Sequence, residues 1–313
     1  MAARRTPEPG VQRRQRGVVE TTTTLAAQQV LRMEDGRTLA AWLWAGRGVP
    51  LVLLHACSTA AAGGTRSPAP PTVPVWPSIC RASVSPICRR GRASPPTRID
   101  VIAGLRKLGV DRCSVVGHSL GGAVATALCE QAAVEATALM LLAPAGFGPI
   151  RLAELVSVPG IRDVTGKLLP FALSSSLALN IAYSTMVTNG CRIDGATLGR
   201  VKARAARALP GARMATMAVV AAGRSSRDTF HQRRVAFHGP VTAVWGGHDR
   251  IVPRGHADGI RRAFPQASVE LWPGIGHHPQ RECPERLHQL VDSACGGGRS
   301  ARCRGARAMA GAA

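Results

Sequence analysis

Between Cys113 and Ala132 the chain has almost no room for a loop. Cys113–Gly117 (CSVVG) is a short continuous apolar run, the pattern of a strand buried on both faces. A helical stretch starts directly after it at Ser119 and runs to Ala132. The strand must therefore pass into the helix through Gly117-His118-Ser119-Leu120-Gly121-Gly122. So tight a turn needs residues without side chains two before and two after its apex. It holds the apex in a strained backbone geometry with its hydroxyl exposed. The helix N-terminus behind it points N–H groups at developing negative charge. Ser119 is thus placed as a nucleophile; the competing reading is an ordinary serine cap on a helix.

The same rhythm extends on both sides. Pro50–Leu54 (PLVLL) and Thr137–Ala143 read as buried strands, and Ile99–Leu108 as a helix with Ile99, Ile102, Leu105 and Leu108 on one stripe, stopped by Gly109. Gln29–Met33 and Thr38–Trp44 flank Glu34-Asp35-Gly36, a hairpin signal. From Phe147 the rhythm breaks, and it resumes with strands at Val241–Trp245 and Ser268–Trp272 and helices at Arg254–Phe264 and Pro284–Ala294. Alternating strands and helices predict an α/β chain with a mostly parallel sheet flanked by helices. Its core spans 25–147 and 236–295. Residues 148–235 are mostly helical in pattern, with Val201–Leu209 and Arg213–Ala222 as Ala- and Arg-rich helices, and are read as an inserted helical cap. The basic stretch 1–24 and the Gly-, Arg- and Ala-rich stretch 296–313 are read as disordered tails.

Gly117–Gly122 resembles the nucleophile elbow of the α/β-hydrolases. That family orders its catalytic residues as serine, acid, histidine. Downstream, Gly246-Gly247-His248-Asp249-Arg250-Ile251-Val252-Pro253 resembles the family's acid loop, so Asp249 is expected to orient the histidine; otherwise it is a turn or helix-start aspartate. Pro273-Gly274-Ile275-Gly276-His277-His278-Pro279, with Glu282 and Pro284-Glu285 beyond, resembles the Gly-His-x-Pro-x-x-Glu-x-Pro-Glu pattern around the family's base. This selects His277, with His278 as the fallback. His118 and His248 are read as packing or rim residues, and His231, His238, His256 and His288 carry no partner pattern. The three segments each follow a predicted strand, at the sheet edge where open parallel sheets hold their sites.

One stretch departs from the family. Leu51–His55 matches its oxyanion strand, but Ala56 stands where glycine is expected; the second oxyanion N–H, beside that of Leu120, is placed near Ala56 or Cys57. From Ala56 to Ile99 there is no Asp or Glu, and three of the nine cysteines fall there. A helix and a strand belong in residues 56–98, and neither is visible. Back-translated with G or C in nearly every third position, Ala56–Arg92 yields in another reading frame a short loop, an amphipathic helix, a Val-Ala-Val strand and an Asp-Leu-Pro-Gly-x-Gly turn. A frameshift is the reading; a divergent, disordered insertion is the alternative. A sheet lacking an internal strand leaves backbone unpaired, so the chain is expected to fold poorly or to be inactive if that strand is lost.

The resemblance implies a serine hydrolase that cleaves an ester, thioester or related acyl bond of a small apolar substrate through an acyl-enzyme, with no metal or organic cofactor. A serine nucleophile argues against the epoxide hydrolases and haloalkane dehalogenases of the superfamily, which use Asp. Leu142–Pro149 resembles a motif of acyltransferase-like members, and some capped members cleave carbon–carbon bonds; these, or an inactive relative damaged in 56–98, are the alternatives. Phe171, Tyr183, Met214 and Met217 are expected to line an apolar acyl pocket or simply to pack the cap.

Composition separates other classes. Forty Lys and Arg against 18 Asp and Glu give a net charge of +22, which favours nucleic acid or an anionic membrane surface. The excess is mostly Arg and is spread along the chain, as GC-rich codons would give, and no motif or aromatic–basic interleaving supports a nucleic-acid partner. No stretch nears the roughly 18 apolar residues of a membrane span. With no metal-ligand spacing among the cysteines and no signal-peptide-like run, the expectation is a reduced, cytoplasmic protein with free thiols.

Overall fold

The computed structural model describes residues 27–34, 38–44, 48–54, 81–89, 92–94, 98–132, 134–150, 154–155, 158, 160–161, 163–164, 175–191 and 230–295. The two tails, the helices expected at Val201–Leu209 and Arg213–Ala222, and Ala56, Cys57, Phe171, Met214 and Met217 lie outside the described residues.

One nine-stranded sheet organises what is described. In chain order the elements are β1 (Ala27–Arg32), β2 (Thr38–Trp44), β3 (Leu51–Leu54), β4 (Arg81–Arg89), β5 (Arg92–Ser94), α1 (Arg98–Lys107), β6 (Arg112–His118), α2 (Leu120–Glu130), β7 (Glu135–Leu142), α3 (Ser176–Ala182), β8 (Val241–Gly246), α4 (His256–Ala263), β9 (Ser268–Trp272), α5 (Pro279–Glu282) and α6 (Pro284–Cys295). The strands lie in the order β1-β2-β4-β3-β6-β7-β8-β9, with β5 antiparallel on β4. From β4 across to β9 every pairing is parallel; β1 and β2 form the expected hairpin, closed at Arg32↔Thr38. After β3 the chain crosses to one side for β4 and to the other for β6, so the order reverses at β3. A crevice for ligands opens at such a point, beyond the carboxyl ends of the strands.

β4 corrects the sequence reading, which sees no strand between 56 and 98. Arg81–Arg89 fills the place between β2 and β3, pairing Leu51↔Arg81 through Leu54↔Val84. It escaped notice because RASVSPICR lacks the Val/Ile-rich run of a central strand and carries Pro86 in its middle. Two local features let it pair. Pro86 lies beyond the last β3 partner, Val84. On the other side, the register with β2 jumps from Ala40↔Ser85 to Thr38↔Cys88, a bulge that spans the proline. The helix expected in the same stretch falls within 55–80, outside the described residues.

The strands alternate between two cores. Val52, Leu54, Val115, Leu139, Leu141, Ala243 and Trp245 pack on α1, α2 and α4, while Leu51, Leu53, Val116, Met140, Leu142 and Val244 pack with Trp272 on Leu287 and Val291 of α6. In α1 the buried stripe is Val101, Ile102 and Leu105; Ile99 is 64% exposed, against expectation. At 100° per residue, positions 101, 102 and 105 share a face, and a row stepping by three from 99 drifts off it. Among the described residues no helix is long and apolar enough to cross a membrane.

His256 opens α4 with its ring buried against Gly148, Nε2 3.2 Å from the Pro149 carbonyl. Burial lowers its pKa below the ordinary 6.5, against the opposing pull of that hydrogen bond. Below about pH 6.5 the unfolded chain takes up a proton that the folded chain resists, so stability falls as pH falls through that value, by up to about 1.4 kcal/mol per unit for one proton. Urea midpoints measured on either side of it should show this slope, and His256→Asn should flatten it.

Candidate active site

Ser119 alone links β6 to α2, with φ 56° and ψ −124°. A non-glycine residue holds such a conformation at a cost of roughly 1–3 kcal/mol, so its surroundings must fix it. They do: its N–H donates to Leu142 O at 3.0 Å, and its carbonyl accepts from Gly122 N and Ala145 N, both at 2.9 Å. The side chain makes no capping bond to α2, which removes the reading of an ordinary helix cap. The glycines are required by close approach. A Cβ on Gly117 would sit 2.6 Å from Gly121 O and Gly122 Cα, and one on Gly122 would overlap Pro144. The first-turn N–H of Leu120 has no acceptor within its helix and stands next to the serine.

Asp249 follows β8 after Gly247 and His248. Its side chain is fully buried, at 0% exposure, and that of His277 is 4% exposed. Asp249 Oδ1 accepts from Ile251 N at 2.8 Å and Val252 N at 2.9 Å, so the carboxylate builds its own turn. Oδ2 lies 2.8 Å from His277 Nδ1. Both readings of Asp249 therefore hold at once: it is a turn aspartate and the partner of a histidine. With Nδ1–H donating to the carboxylate, the neutral imidazole keeps its lone pair on Nε2, free to accept a proton. Of the two adjacent histidines it is His277 that meets the acid. The His278 ring instead stands edge-on to Tyr183, at 6.0 Å between centroids.

β8 and the histidine loop touch through backbone. A Cβ on Gly246 would overlap the carbonyl oxygens of Ile275 and Gly276, which cannot swing aside as a side chain can. Gly246→Ala should therefore cost about 2–3 kcal/mol of stability, read as a lower urea midpoint.

Three contributors were not assigned roles from sequence. His118, taken as a packing or rim residue, is buried at 7% exposure, and its Nε2–H donates to the His277 carbonyl at 2.9 Å. Its ring lies 4.8 Å from that of His277, so the residue before Ser119 holds the His277 loop. Glu282 accepts from Gly276 N at 3.0 Å and from Asn189 N at 2.9 Å. Val187 O accepts from His277 N at 2.8 Å, and a Cβ on Gly276 would lie 2.7 Å from Thr188 Cα. The segment after α3 thus sits directly on the His277 loop. The His118–His277 and Glu282–Asn189 contacts join residues 159 and 93 positions apart, which no local pattern announces, whereas Glu282 and Gly276, 6 apart, share the quoted motif. His248, by contrast, is exposed and contributes its N–H to Ile275 O.

His118, His277 and His278 also bring one potential metal-ligand atom each within 4.8 Å of one another. Ala56 and Cys57, expected near the second oxyanion donor, are outside the described residues.

A sequence model of the Alpha/beta hydrolase family matches residues 82–290, from β4 to α6. The chain belongs to this family. This α/β-hydrolase is 29% identical over 191 residues to the dihydrolipoyllysine-residue acetyltransferase component of the acetoin cleaving system of Pseudomonas putida, covering 61% of the chain and 47% of that protein. It is 27% identical over 200 residues to the sn-1-specific diacylglycerol lipase ABHD11 of Mus musculus, covering 60% of the chain and 61% of the lipase. It is 28% identical over 185 residues to the pimeloyl-[acyl-carrier protein] methyl ester esterase of Nitrosomonas europaea, covering 58% and 71%. The α/β-hydrolase thus spans 47% and 61% of the first two of these relatives. Among solved structures, a membrane phospholipase A superimposes with a TM-score of 0.63 at 19% identity over 86% of this chain and 85% of that one. The ligand-free epoxide hydrolase CorEH does so with a TM-score of 0.63 at 17% identity over 86% and 98%. The expected α/β-hydrolase fold, a mostly parallel sheet flanked by helices, is the one observed.

Proposed function

We propose that this α/β-hydrolase is a serine hydrolase that cleaves an ester, thioester or related acyl bond of a small apolar substrate. The observation that carries the reading is the buried Asp249–His277 pair, 2.8 Å apart, on the sheet edge that also carries the strained Ser119. In the proposed reaction His277 Nε2 takes the proton of Ser119 Oγ as the oxygen attacks the substrate carbonyl. Asp249 steadies the imidazolium. The Leu120 N–H, with one near Ala56 or Cys57, holds the oxyanion, and the protonated His277 returns its proton to the leaving group. Water, activated by the same histidine, then releases the acid and frees Ser119. Residues 148–235 form the cap in this reading, and Tyr183 beside His278 lines the acyl side of the site.

The names of the lipase and esterase relatives favour this chemistry, and the acetyltransferase relative keeps acyl transfer to another acceptor as the second reading. Cys113, Cys129, Cys191, Cys283 and Cys295 are free thiols, which suits a reducing, cytoplasmic setting, and burial pushes the Cys113 thiol up to about 12. The frameshift reading of 56–98 stands as a further proposal, and sequencing the gene decides it.

Labelling with a fluorophosphonate probe tests the function. The folded wild-type chain is expected to label and Ser119→Ala is not. A folded chain that does not label, or a variant that labels equally, sinks the hydrolase reading.

A further inference from the structure

The stretch that delivers His277, Pro273-Gly274-Ile275-Gly276, has two glycines in four residues. Both are there for shape. Gly274 turns the chain at φ 74°, and Gly276 lets the Thr188 backbone come within 2.7 Å of where a Cβ would stand. Glycine also leaves a loop with more conformations to choose from. The Asp249 carboxylate fixes one nitrogen of the His277 ring, at 2.8 Å, but not the backbone that carries the ring. A misplacement of about 1 Å can cost a site about 10²-fold in rate, so that backbone needs restraints from outside the loop.

Residues 187–189 supply them. Val187 O accepts from His277 N at 2.8 Å. The Asn189 side chain donates from Nδ2 to Gly274 O at 2.9 Å. The Asn189 main-chain N–H donates to Glu282 Oε2 at 2.9 Å, and that carboxylate accepts from Gly276 N at 3.0 Å through each of its oxygens. Asn189 therefore grips the loop twice, at Gly274 directly and at Gly276 through Glu282.

The segment that presents Asn189 is itself braced. Tyr183–Val187 is a single turn of π-helix, a rare widening that is frequent at functional sites. Buried Thr188 closes that turn, its N–H donating to Tyr183 O at 2.8 Å and its hydroxyl lying 3.0 Å from Tyr183 O and 3.2 Å from Cys191 O. Gly190 N donates back to Ser184 O at 2.9 Å. Asn189 thus sits between two tied residues, which holds its amide at the Gly274 carbonyl although the residue itself is exposed.

We infer that Asn189 is a positioning residue for His277, its side-chain amide holding the glycine loop so that the imidazole stays on Asp249. That turnover depends on it rests on the hydrolase reading; the placing of the imidazole does not.

Three variants of the full chain are compared on a dissolved short-chain p-nitrophenyl ester. Asn189→Ala removes the bond to Gly274 O and should lower kcat about fivefold with KM little changed. Asn189→Asp keeps the shape but turns an oxygen without a proton toward the Gly274 carbonyl, so it should be the worse of the two, at about twentyfold. Thr185→Ala deletes a hydrogen bond that stays within the segment, Oγ1 to Ile181 O at 2.7 Å, and should remain within about twofold of wild type. The proton NMR signal of His277 Nδ1–H should shift or broaden in both Asn189 variants and not in Thr185→Ala. If Asn189 only filled space, the aspartate would be the milder change. That order, an unchanged kcat in both Asn189 variants of an active chain, an unmoved proton signal, or a Thr185→Ala variant as slow as Asn189→Ala overturns the inference. Wild-type protein that neither hydrolyses the ester nor takes the fluorophosphonate overturns the hydrolase reading, while a proton signal shifted by the Asn189 variants alone upholds the positioning.

Discussion

Alanine at Ser119 is expected to lower kcat by about a millionfold, with KM changed little and the fold intact. The backbone at Ser119 is held by Leu142 O, Gly122 N and Ala145 N, none of which involves the hydroxyl. The side chain gives no capping bond to α2, so its loss leaves helix stability alone. In the proposed reaction, what disappears is the nucleophile. What remains in that reaction is the Leu120 N–H for the oxyanion and the binding of the substrate, worth about 10³–10⁴ over water in such sites. Turnover of a dissolved short-chain p-nitrophenyl ester by wild type and variant, at equal thermal stability, reads the effect. A variant within tenfold of wild type would show that the chemistry lies elsewhere.

Asparagine at Asp249 should be nearly as severe, lowering kcat by about 10⁴. The amide keeps the shape of the carboxylate, and its oxygen can still accept from Ile251 N and Val252 N, so the turn survives. Its NH₂ then faces His277 Nδ1, where the carboxylate oxygen stood at 2.8 Å. Two donors cannot share that contact, so Nδ1 must become the acceptor and the proton moves to Nε2. A histidine in that tautomer cannot take a proton from serine. Asp249→Asn should therefore fold and bind substrate like wild type yet turn over about four orders of magnitude more slowly; comparing kcat with KM separates this from simple damage to the site.

The sequence was most legible where spacing is local. The β1–β2 hairpin, the passage from β6 into α2, and the strands before Asp249 and His277 are each contained in runs of five to twenty residues, and each lies within a residue or two of its expected place. β4 was illegible for an opposite reason. Its pairing is secured by neighbours on both sides, so it tolerates serines and a proline that a strand specified by its own composition would not. Ile99 shows how a stripe stepping by three misleads when the true face is set by packing against the sheet. At the site, the motif singled out His277 and named Glu282, but not the use Glu282 serves. Nor could it show that His118 reaches 159 positions along the chain to hold the base loop. Those relations depend on how distant loops meet, which no single window of sequence contains.

The bond from His277 N to Val187 O gives the molecule a remote control. The imidazole is anchored by two masters: the sheet, through Asp249, and the segment after α3, through Val187 and the Glu282–Asn189 bridge. In the proposed mechanism, a protease that nicks residues 175–191, or a molecule that tugs them outward, is expected to displace His277 while leaving Ser119 in place. On that reading, loss of turnover and loss of fold are separate events, and the first is expected to be open to triggering from outside the site.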